Sequence, residues 1–187
     1  MGDTVDIEKM QALMNSYEPC VSLMATKHAI YRFASDTSME IQNNSYAPIL
    51  DMYKVITDFG GKIHALGISD YTGIDGSIFI HDKNDFDVVI PEHTSPVRDN
   101  FTLAHELGHF FLHSTAGEKN KLWAARKGND RLEWEANWFA AGFLAPEQQL
   151  KYLKNNQDFT VKTISSFFGL SNEASAYRKA TYDELGF

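Results

Sequence analysis

The most informative stretch of the sequence is Phe101-Thr102-Leu103-Ala104-His105-Glu106-Leu107-Gly108-His109, which contains the pattern H-E-x-x-H. Its apolar flanks are typical of a buried helix. On a helix, side chains four residues apart lie on one face, so His105 and His109 can bind one metal ion together. Glu106 is offset around the helix and can reach a metal-bound water instead of the metal. This is the geometry that a zinc hydrolase needs, and the alternative is a pair of core histidines on an ordinary helix.

A catalytic zinc site needs a third protein ligand from another element, with one position left for water. The best source is the stretch Leu-Glu-Trp-Glu-Ala-Asn-Trp-Phe-Ala at residues 132–140. Glu133 and Asn137 share one helix face with the small Ala136, whereas Glu135 points about 200° away from Glu133. We therefore expect Glu133 to bind the metal and Asn137 to hydrogen-bond to a metal ligand, with Glu135 as the alternative ligand. Solvation of both carboxylates is the simpler interpretation, although their aromatic neighbours argue against it.

Two further side chains are candidates for a chemical role. His113 follows His109 by four residues and lies on nearly the same face, where it could contact the substrate or a metal ligand, or serve only the structure. Cys20 is the single cysteine and cannot form an internal disulfide. We interpret it as a buried thiol in a reduced, cytoplasmic protein, in preference to a catalytic nucleophile.

Composition limits the classes of protein that remain. The chain has 187 residues, with 17 Lys and Arg against 25 Asp and Glu, which gives a formal net charge of −8. The length favours one domain, and the charge makes a general nucleic-acid binder unexpected. The acidic start has no secretory-signal pattern, and no stretch approaches the roughly 20 apolar residues that span a bilayer.

Periodicity predicts helices on both sides of a small sheet. A first helix is expected at residues 5–17, and another begins after Ser45 as N-cap and ends at Gly60-Gly61. Residues 19–45 stay ambiguous. Short β-rich runs predict strands at residues 62–66, 77–80 and 86–90, the last two forming a hairpin.

The second half of the chain reads mostly as helix. A helix is expected from Phe101 to residue 113, with Thr102 as a candidate cap, and a polar loop follows at about 116–130. Further helices are predicted at residues 132–144, 147–154, 160–168 and 173–184. The order of elements is typical of the α+β class.

Two segments have competing interpretations. Residues 118–131 carry several cations, which favour a solvated loop over a surface that grips an acidic substrate. Residues 160–179 are similar to a helix-turn-helix with a turn at Gly169-Leu170-Ser171. Because Glu173 lies early in the second helix of an acidic chain, a packing or partner-binding helix pair is favoured over DNA binding.

Two motifs of the chain occur together in one known family. They are Arg98-x-x-Phe101-Thr102-Leu103-Ala104-His105-Glu106-Leu107-Gly108-His109-x-x-Leu112-His113 and Glu133-x-Glu135-Ala136-Asn137-x-Phe139-Ala140-Ala141. This combination resembles the ImmA/IrrE family of zinc metallopeptidases. The resemblance covers residues 50–150 well and continues into Phe143-Leu144-Ala145-Pro146, where the family usually has Leu-Leu-Met-Pro.

The resemblance implies a gluzincin-like α+β fold, with a small antiparallel-containing sheet packed on an active-site helix pair. Together with the length, it predicts a single metallopeptidase domain over residues 1–187, with a catalytic core at about 50–150 and a C-terminal helical segment at about 156–187. One zinc ion per chain would be held by His105, His109 and the downstream glutamate, best matched by Glu133. Glu106 would be the general base.

The resemblance also implies a partner. Members of the family often cleave a helix-turn-helix repressor, and others are paired with such proteins in arrangements like those of toxins and antitoxins. We expect an endopeptidase with one such protein substrate, without a membrane and without direct nucleic-acid binding. The alternative is a protease-like binding module that sequesters a transcription factor, or binds DNA, without cleavage. Glu106 favours the enzyme, because a structural zinc site does not need a carboxylate that is not a ligand.

Overall fold

The computed structural model of the chain describes residues 7–43, 49–67, 76–92, 94–126 and 130–186. These residues form two compact units. The first takes in the described residues of 1–24 and 51–137, and the second those of 25–50 and 138–187. The histidine motif and the glutamates after it belong to the first unit.

A mixed sheet forms the centre of the first unit. Within the described residues its strands are β1 (Glu18–Pro19), β2 (Gly61–Leu66), β3 (Ser77–Asp82), β4 (Asp85–Pro91) and β5 (Leu122–Ala125), in the order β1-β5-β3-β4-β2. β3 pairs antiparallel with β4 and β5, whereas β2 runs parallel to β4 and β1 parallel to β5. The sheet confirms the predicted hairpin, which is β3 and β4, and the predicted α+β class.

One face of the sheet packs against the helix that carries the histidine motif. Ile78 pairs with Val88 and Ile80 with Phe86, so their side chains share this face. Phe86 stacks on Phe110, with 4.4 Å between ring centroids and an interplanar angle of 25°. These side chains are essentially buried, so the apolar contact fixes the helix against the sheet.

The opposite face is covered by the N-terminal helix α1 (Ile7–Ser16), which confirms the first predicted helix within the described residues. Met10 of α1 packs in one apolar cluster with Leu66, Phe79 and Val89 of the sheet. Both faces of the central strands are therefore buried, as the continuous apolar run of β4 indicates.

Helix α3 (Met52–Asp58) is shorter than predicted. Its N-cap is Asp51, which accepts a hydrogen bond from the Lys54 backbone N–H at 3.1 Å. The predicted N-cap, Ser45, lies outside the described residues, and the expectation of a cap there is wrong because Asp51 caps the helix. The predicted end is confirmed: Gly60 has a φ of +84°, which suits glycine, and the chain turns there into β2.

The motif helix α4 (Pro96–Gly108) begins earlier than predicted. Ser95 is its N-cap and accepts a hydrogen bond from the Arg98 N–H, while Pro96 occupies the first turn. Thr102, the candidate cap, is instead buried in the middle of the helix. After α4, residues His109–His113 form a π-helical turn in which the Ser114 N–H donates to the His109 carbonyl.

The predicted polar loop at 116–130 is wrong in its middle, where β5 lies. Ile80 of β3 pairs with Leu122, and Ser77 with Ala125, so a short apolar run completes an antiparallel ladder. The cause is a long-range pairing, which gives a four-residue strand the hydrogen-bond partners that its own sequence does not specify.

The second unit is helical. Its elements are α2 (Lys27–Ile41), the part of α5 (Arg131–Leu144) from Trp138 onward, α6 (Glu147–Asn156), α7 (Val161–Phe168) and α8 (Asn172–Leu185). A Cβ added to Gly142 of α5 would lie 3.1 Å from Ala34 and from Tyr31 of α2, so glycine permits these helices to approach closely. The predicted helices at 132–144, 147–154, 160–168 and 173–184 are all confirmed within two residues at each end.

The turn between α7 and α8 lies where it was predicted, with Gly169 at φ +65°. Arg178 of α8 is fully buried, stacks 4.8 Å over the Tyr31 ring and donates from Nε to the Ala145 carbonyl at 3.0 Å. Burial lowers the pKa of Arg178 to about 10. None of the helices within the described parts of the chain is long and apolar enough to cross a membrane.

Candidate metal centre

The side chains named by the histidine motif converge inside the first unit. His105 and Glu106 come from α4, His109 and His113 from the π-helical turn, and Glu133 from α5. All of these residues are buried, and Glu133, at 4% exposed, is the most accessible of them. Asp130 accepts a hydrogen bond from the Glu133 N–H at 3.1 Å, which caps the start of α5 beside the cluster.

Three donor atoms of this cluster face one another. His105 Nε2 lies 3.2 Å from His109 Nε2 and 3.2 Å from Glu133 Oε2. Glu133 Oε1 lies 3.5 Å from His109 Nε2. Three buried electron-pair donors held this closely repel one another unless a proton or a cation lies between them.

The separations fit a metal ion. Tetrahedral zinc with bonds of about 2.0–2.1 Å to nitrogen and oxygen places its ligand atoms roughly 3.3–3.4 Å apart. The observed distances of 3.2 to 3.5 Å bracket that value. His105, His109 and Glu133 can therefore hold one ion by three ligands, which leaves a fourth tetrahedral position open.

Asn137 orients the first of these histidines. Its Oδ1 lies 3.0 Å from His105 Nδ1, and because an amide oxygen can only accept, the Nδ1 of His105 carries the hydrogen. In a neutral imidazole the Nε2 of His105 then keeps its lone pair. The contact fixes the tautomer that a metal ligand requires.

Two successive hydrogen bonds fix the tautomer of His109. His113 Nε2 lies 3.2 Å from Glu135 Oε2, and His113 Nδ1 lies 2.9 Å from His109 Nδ1. The Glu135 carboxylate accepts from Nε2 of His113, so Nδ1 of His113 accepts from the N–H at Nδ1 of His109. The Nε2 of His109 is left with a lone pair directed at the other two donors. We call the series Glu135, His113 and His109 the histidine relay.

Glu135 is well held at the outer end of the relay. It accepts a hydrogen bond from the Leu23 backbone N–H at 2.7 Å and another from Arg131 Nε at 3.0 Å. A fully buried carboxylate with these partners is held rigidly in one position. The oxygens of Glu135 are thus occupied by these hydrogen bonds, and Glu133 is the glutamate that belongs to the three facing donors.

Glu106 differs from the other carboxylates of the site. It is fully buried, and neither of its oxygens has a hydrogen-bond partner among the described residues. Gly76 lies directly against it: a Cβ built there would be 2.5 Å from Glu106 Oε1 and 2.8 Å from Thr102 Cγ2. The missing side chain of Gly76 leaves room for the carboxyl group just before the start of β3.

The electrostatics of the cluster match these roles. Burial lowers the pKa of His105 and lowers that of His109 well below its usual range, so both imidazoles are neutral and can donate a lone pair. Burial raises the pKa of the Glu106 carboxyl well above its usual range, and the nearby charge of Glu133 raises it further. A carboxyl group with such a raised pKa holds a proton readily, as a group that transfers protons must.

Every sequence-predicted site residue lies in this cluster, each with a distinct position. His105, His109 and Glu133 face one another, and Asn137 contacts His105. Glu106 lies beside them and has no hydrogen-bond partner in the part of the chain that the structure describes. The other two form the outer part of the histidine relay: they are His113 and Glu135. The role of His113, which the sequence left open, is a contact with a candidate ligand.

Sequence reasoning missed two neighbours of the site. Gly76 was noted only in a turn signal, and Arg126 only as one cation of a loop. Arg126 directly follows β5 and donates from its backbone N–H to the Gly76 carbonyl at 2.9 Å. Of the other cations in that loop, Arg131 binds Glu135 and Lys127 lies outside the described residues. Cys20 is buried, as predicted for a structural thiol.

An α+β fold with a buried H-E-x-x-H helix and a glutamate from a following helix defines a metallopeptidase-type domain. The comparison with protein families agrees: the family model described as the IrrE N-terminal-like domain matches residues 68–179, which is more than half of the chain. The chain therefore belongs to the ImmA/IrrE family.

Two curated proteins are similar to this chain in sequence. Metallopeptidase ImmA of Bacillus subtilis (strain 168) is 27% identical over 99 residues, or 52% of this chain and 59% of that protein. A protein of Bacillus phage phi105 named uncharacterized immunity region protein 2 is 31% identical over 93 residues, or 50% of this chain and 58% of that protein. The matches thus span a little under three fifths of each relative.

A solved structure is also similar. It is described as a Mycobacterium tuberculosis transcriptional regulator, with 16% sequence identity and a TM-score of 0.46. The match covers 81% of this chain and 45% of that one.

Proposed function

We propose that the protein is a zinc-dependent endopeptidase that cleaves one specific protein partner, a helix-turn-helix repressor or an antitoxin-like protein. The observation that carries the proposal is the buried Glu106, which lies beside three facing donor atoms and has no hydrogen-bond partner among the described residues. A structural metal site would need only the three donors, and a buried carboxyl group without a partner costs stability. Its presence is accounted for by a proton-transfer role.

When bound, zinc would lower the pKa of a coordinated water to about 7 and polarise the peptide carbonyl. Glu106 would accept a proton from the attacking water. The raised pKa of this carboxyl group favours holding that proton until the amide nitrogen leaves, when Glu106 returns it. Asn137 and the histidine relay would keep the two imidazoles in the required tautomer throughout.

Membership of the ImmA/IrrE family supports the choice of substrate, since its members often act on helix-turn-helix repressors. The phage relative is named for an immunity region, which is consistent with control of a mobile element. A transcriptional repressor as substrate would place the protein in the cytoplasm, and the toxin–antitoxin type of arrangement would supply the partner from an adjacent gene.

Direct DNA binding by the α7–α8 pair is the less supported alternative. α8 has two cationic residues: Arg178 is fully buried and Lys179 pairs with Asp183 at 2.8 Å. A helix that offers so little free positive charge is a poor match to a phosphate backbone.

The experiment combines metal analysis with cleavage. Purified protein should contain about one zinc per chain, which His105→Ala should lose. Mixed with the helix-turn-helix protein encoded beside it, the parent chain should cut that protein, whereas Glu106→Gln should keep zinc and leave it intact. Glu118→Gln, at an exposed glutamate, is the matched control and should cleave normally. If Glu106→Gln keeps the full biological effect, the protein is a binding module; if the purified parent holds no metal, the proposal is wrong.

A further inference from the structure

Arg126 lies over the reactive part of the motif helix. Its Nη1 donates a long hydrogen bond of 3.5 Å to Thr102 Oγ1, and its guanidinium lies 5.5 Å from the Phe101 ring centroid. Thr102 precedes His105 by three residues and Glu106 by four, so all three share one side of α4. The guanidinium is therefore held on the side of the helix that faces the candidate metal centre.

The backbone of Arg126 is tied to the same place. Its N–H donates to the carbonyl of Gly76 at 2.9 Å, and Gly76 is the residue whose missing side chain gives room to the Glu106 carboxyl. The start of β3 and the end of β5 thus place the Arg126 backbone beside Gly76, which in turn lies against the Glu106 carboxyl group of α4. Neither position is set by the H-E-x-x-H motif.

The charge of Arg126 is available to a ligand. No carboxylate within the described part of the chain lies at ion-pair distance from it, and the side chain is only half-buried. An arginine that is held against the motif helix and has no carboxylate at ion-pair distance among the described residues suits an anion that forms only during reaction.

We propose that Arg126 binds the scissile carbonyl oxygen and stabilises the negative charge that develops on it. This inference rests on the proposed function. Water oxygen bonds to the carbonyl carbon, its proton moves to Glu106, and the π electrons of the carbonyl move onto the oxygen that Arg126 faces. When the C–N bond breaks, the oxygen reforms its double bond and Glu106 returns the proton to nitrogen, so that one peptide and one water give an acid and an amine. The planar fork of N–H donors on Arg126 suits an oxygen anion better than the ammonium group of a lysine does.

The test uses inorganic phosphate, a tetrahedral oxyanion, as a probe that needs no substrate sequence. The protein is loaded with cobalt(II) in place of zinc, and its visible absorption is followed as phosphate is added. We expect phosphate to perturb the parent spectrum, and Arg126→Gln to weaken phosphate binding about tenfold or more, in line with the loss of a charge-assisted bond. Arg126→Lys should be intermediate. Arg32→Gln, at an exposed arginine of α2, is the matched control and should bind as the parent does.

The outcomes separate this inference from the proposed function. Equal phosphate affinity in Arg126→Gln and the parent, or no response of the cobalt-loaded parent to phosphate, would overturn the role of Arg126 and leave the peptidase proposal standing. Failure of the parent to bind metal would contradict the peptidase proposal itself. In a cleavage assay with the helix-turn-helix partner, Arg126→Gln should lower kcat about 10²- to 10³-fold with little change in KM, as for loss of an oxyanion donor. A rise in KM at constant kcat would also overturn the proposal.

Discussion

Replacing His113 by leucine tests whether the histidine relay controls metal binding. Leucine fills a similar volume but offers no acceptor to the Nδ1 N–H of His109, which lies 2.9 Å from His113 Nδ1. Neither of these two side chains is exposed, so water does not replace the lost hydrogen bond between them. In the variant, the tautomer of His109 with its hydrogen on Nδ1 is therefore no longer favoured by a hydrogen bond.

The expected magnitude follows from the two tautomers of His109. Without metal, the variant can place the hydrogen on Nε2 and donate it to Glu133 Oε1, which is 3.5 Å away. Metal binding requires the lone pair on Nε2, which returns the hydrogen to Nδ1 and buries it without a partner. An unsatisfied buried donor costs about 1–3 kcal/mol. We therefore expect a 10- to 100-fold loss of zinc affinity, equal to about 1.4–2.7 kcal/mol and similar to the effect of removing other partners of metal-bound histidines.

The assay is competition for zinc against a chromophoric chelator, which needs no substrate. His113→Gln is the matched variant, because its amide oxygen can accept the hydrogen bond and should restore much of the affinity. Circular dichroism and thermal unfolding of the metal-free proteins check that both variants fold. Equal zinc affinity in His113→Leu and the parent, with both folded, would refute the relay.

Two further predictions concern the surroundings of the site. Gly76→Ala places a Cβ 2.5 Å from Glu106 Oε1 and must displace that carboxyl group. The rate of cleavage should therefore fall about 100-fold, while the zinc content stays at one per chain. An initial rate equal to that of the parent would contradict this prediction. Burial raises the pKa of the Cys20 thiol to about 12, and the charge of Glu106 adds to this. Because a raised pKa keeps the thiol protonated below that pH, alkylation by iodoacetamide at pH 8 should be about 10³-fold slower than for an ordinary thiol and should recover in urea; fast labelling of the native protein would contradict this.

Much of the fold could be predicted because its helices carry their own signals. The apolar spacing of α5 and the residues around Gly169 are local, and both helix ends follow from them. β5 has no such signal: its four residues become a strand only through pairing with β3. The start of α3 was predicted wrongly for a related reason. Asp51 and Ser45 are both suitable N-cap residues, and only the structure shows that the helix begins after Asp51.

The site divides in the same way. The i, i+4 spacing places His105 and His109 together, and the helical angle between Glu133 and Glu135 separates their roles, because both are local geometry. The helical angle alone does not predict a hydrogen-bond partner for Glu135, whereas in the folded chain its carboxylate contacts His113. Such a contact depends on how two helices pack, which a single sequence does not state.

The π-helical turn explains how three histidines at successive steps of four residues can be used together. In a regular α-helix each such step rotates the side chain by about 40°, so His113 would lie about 80° around the helix from His105. The i→i+5 hydrogen bond from Ser114 to His109 widens the turn, and the next step of four residues then falls short of a full rotation. As a result the rings of His105 and His109, and those of His109 and His113, are both 4.9 Å apart. The relay thus depends on a departure from regular helical geometry just after the motif, where a period of 3.6 residues predicts none.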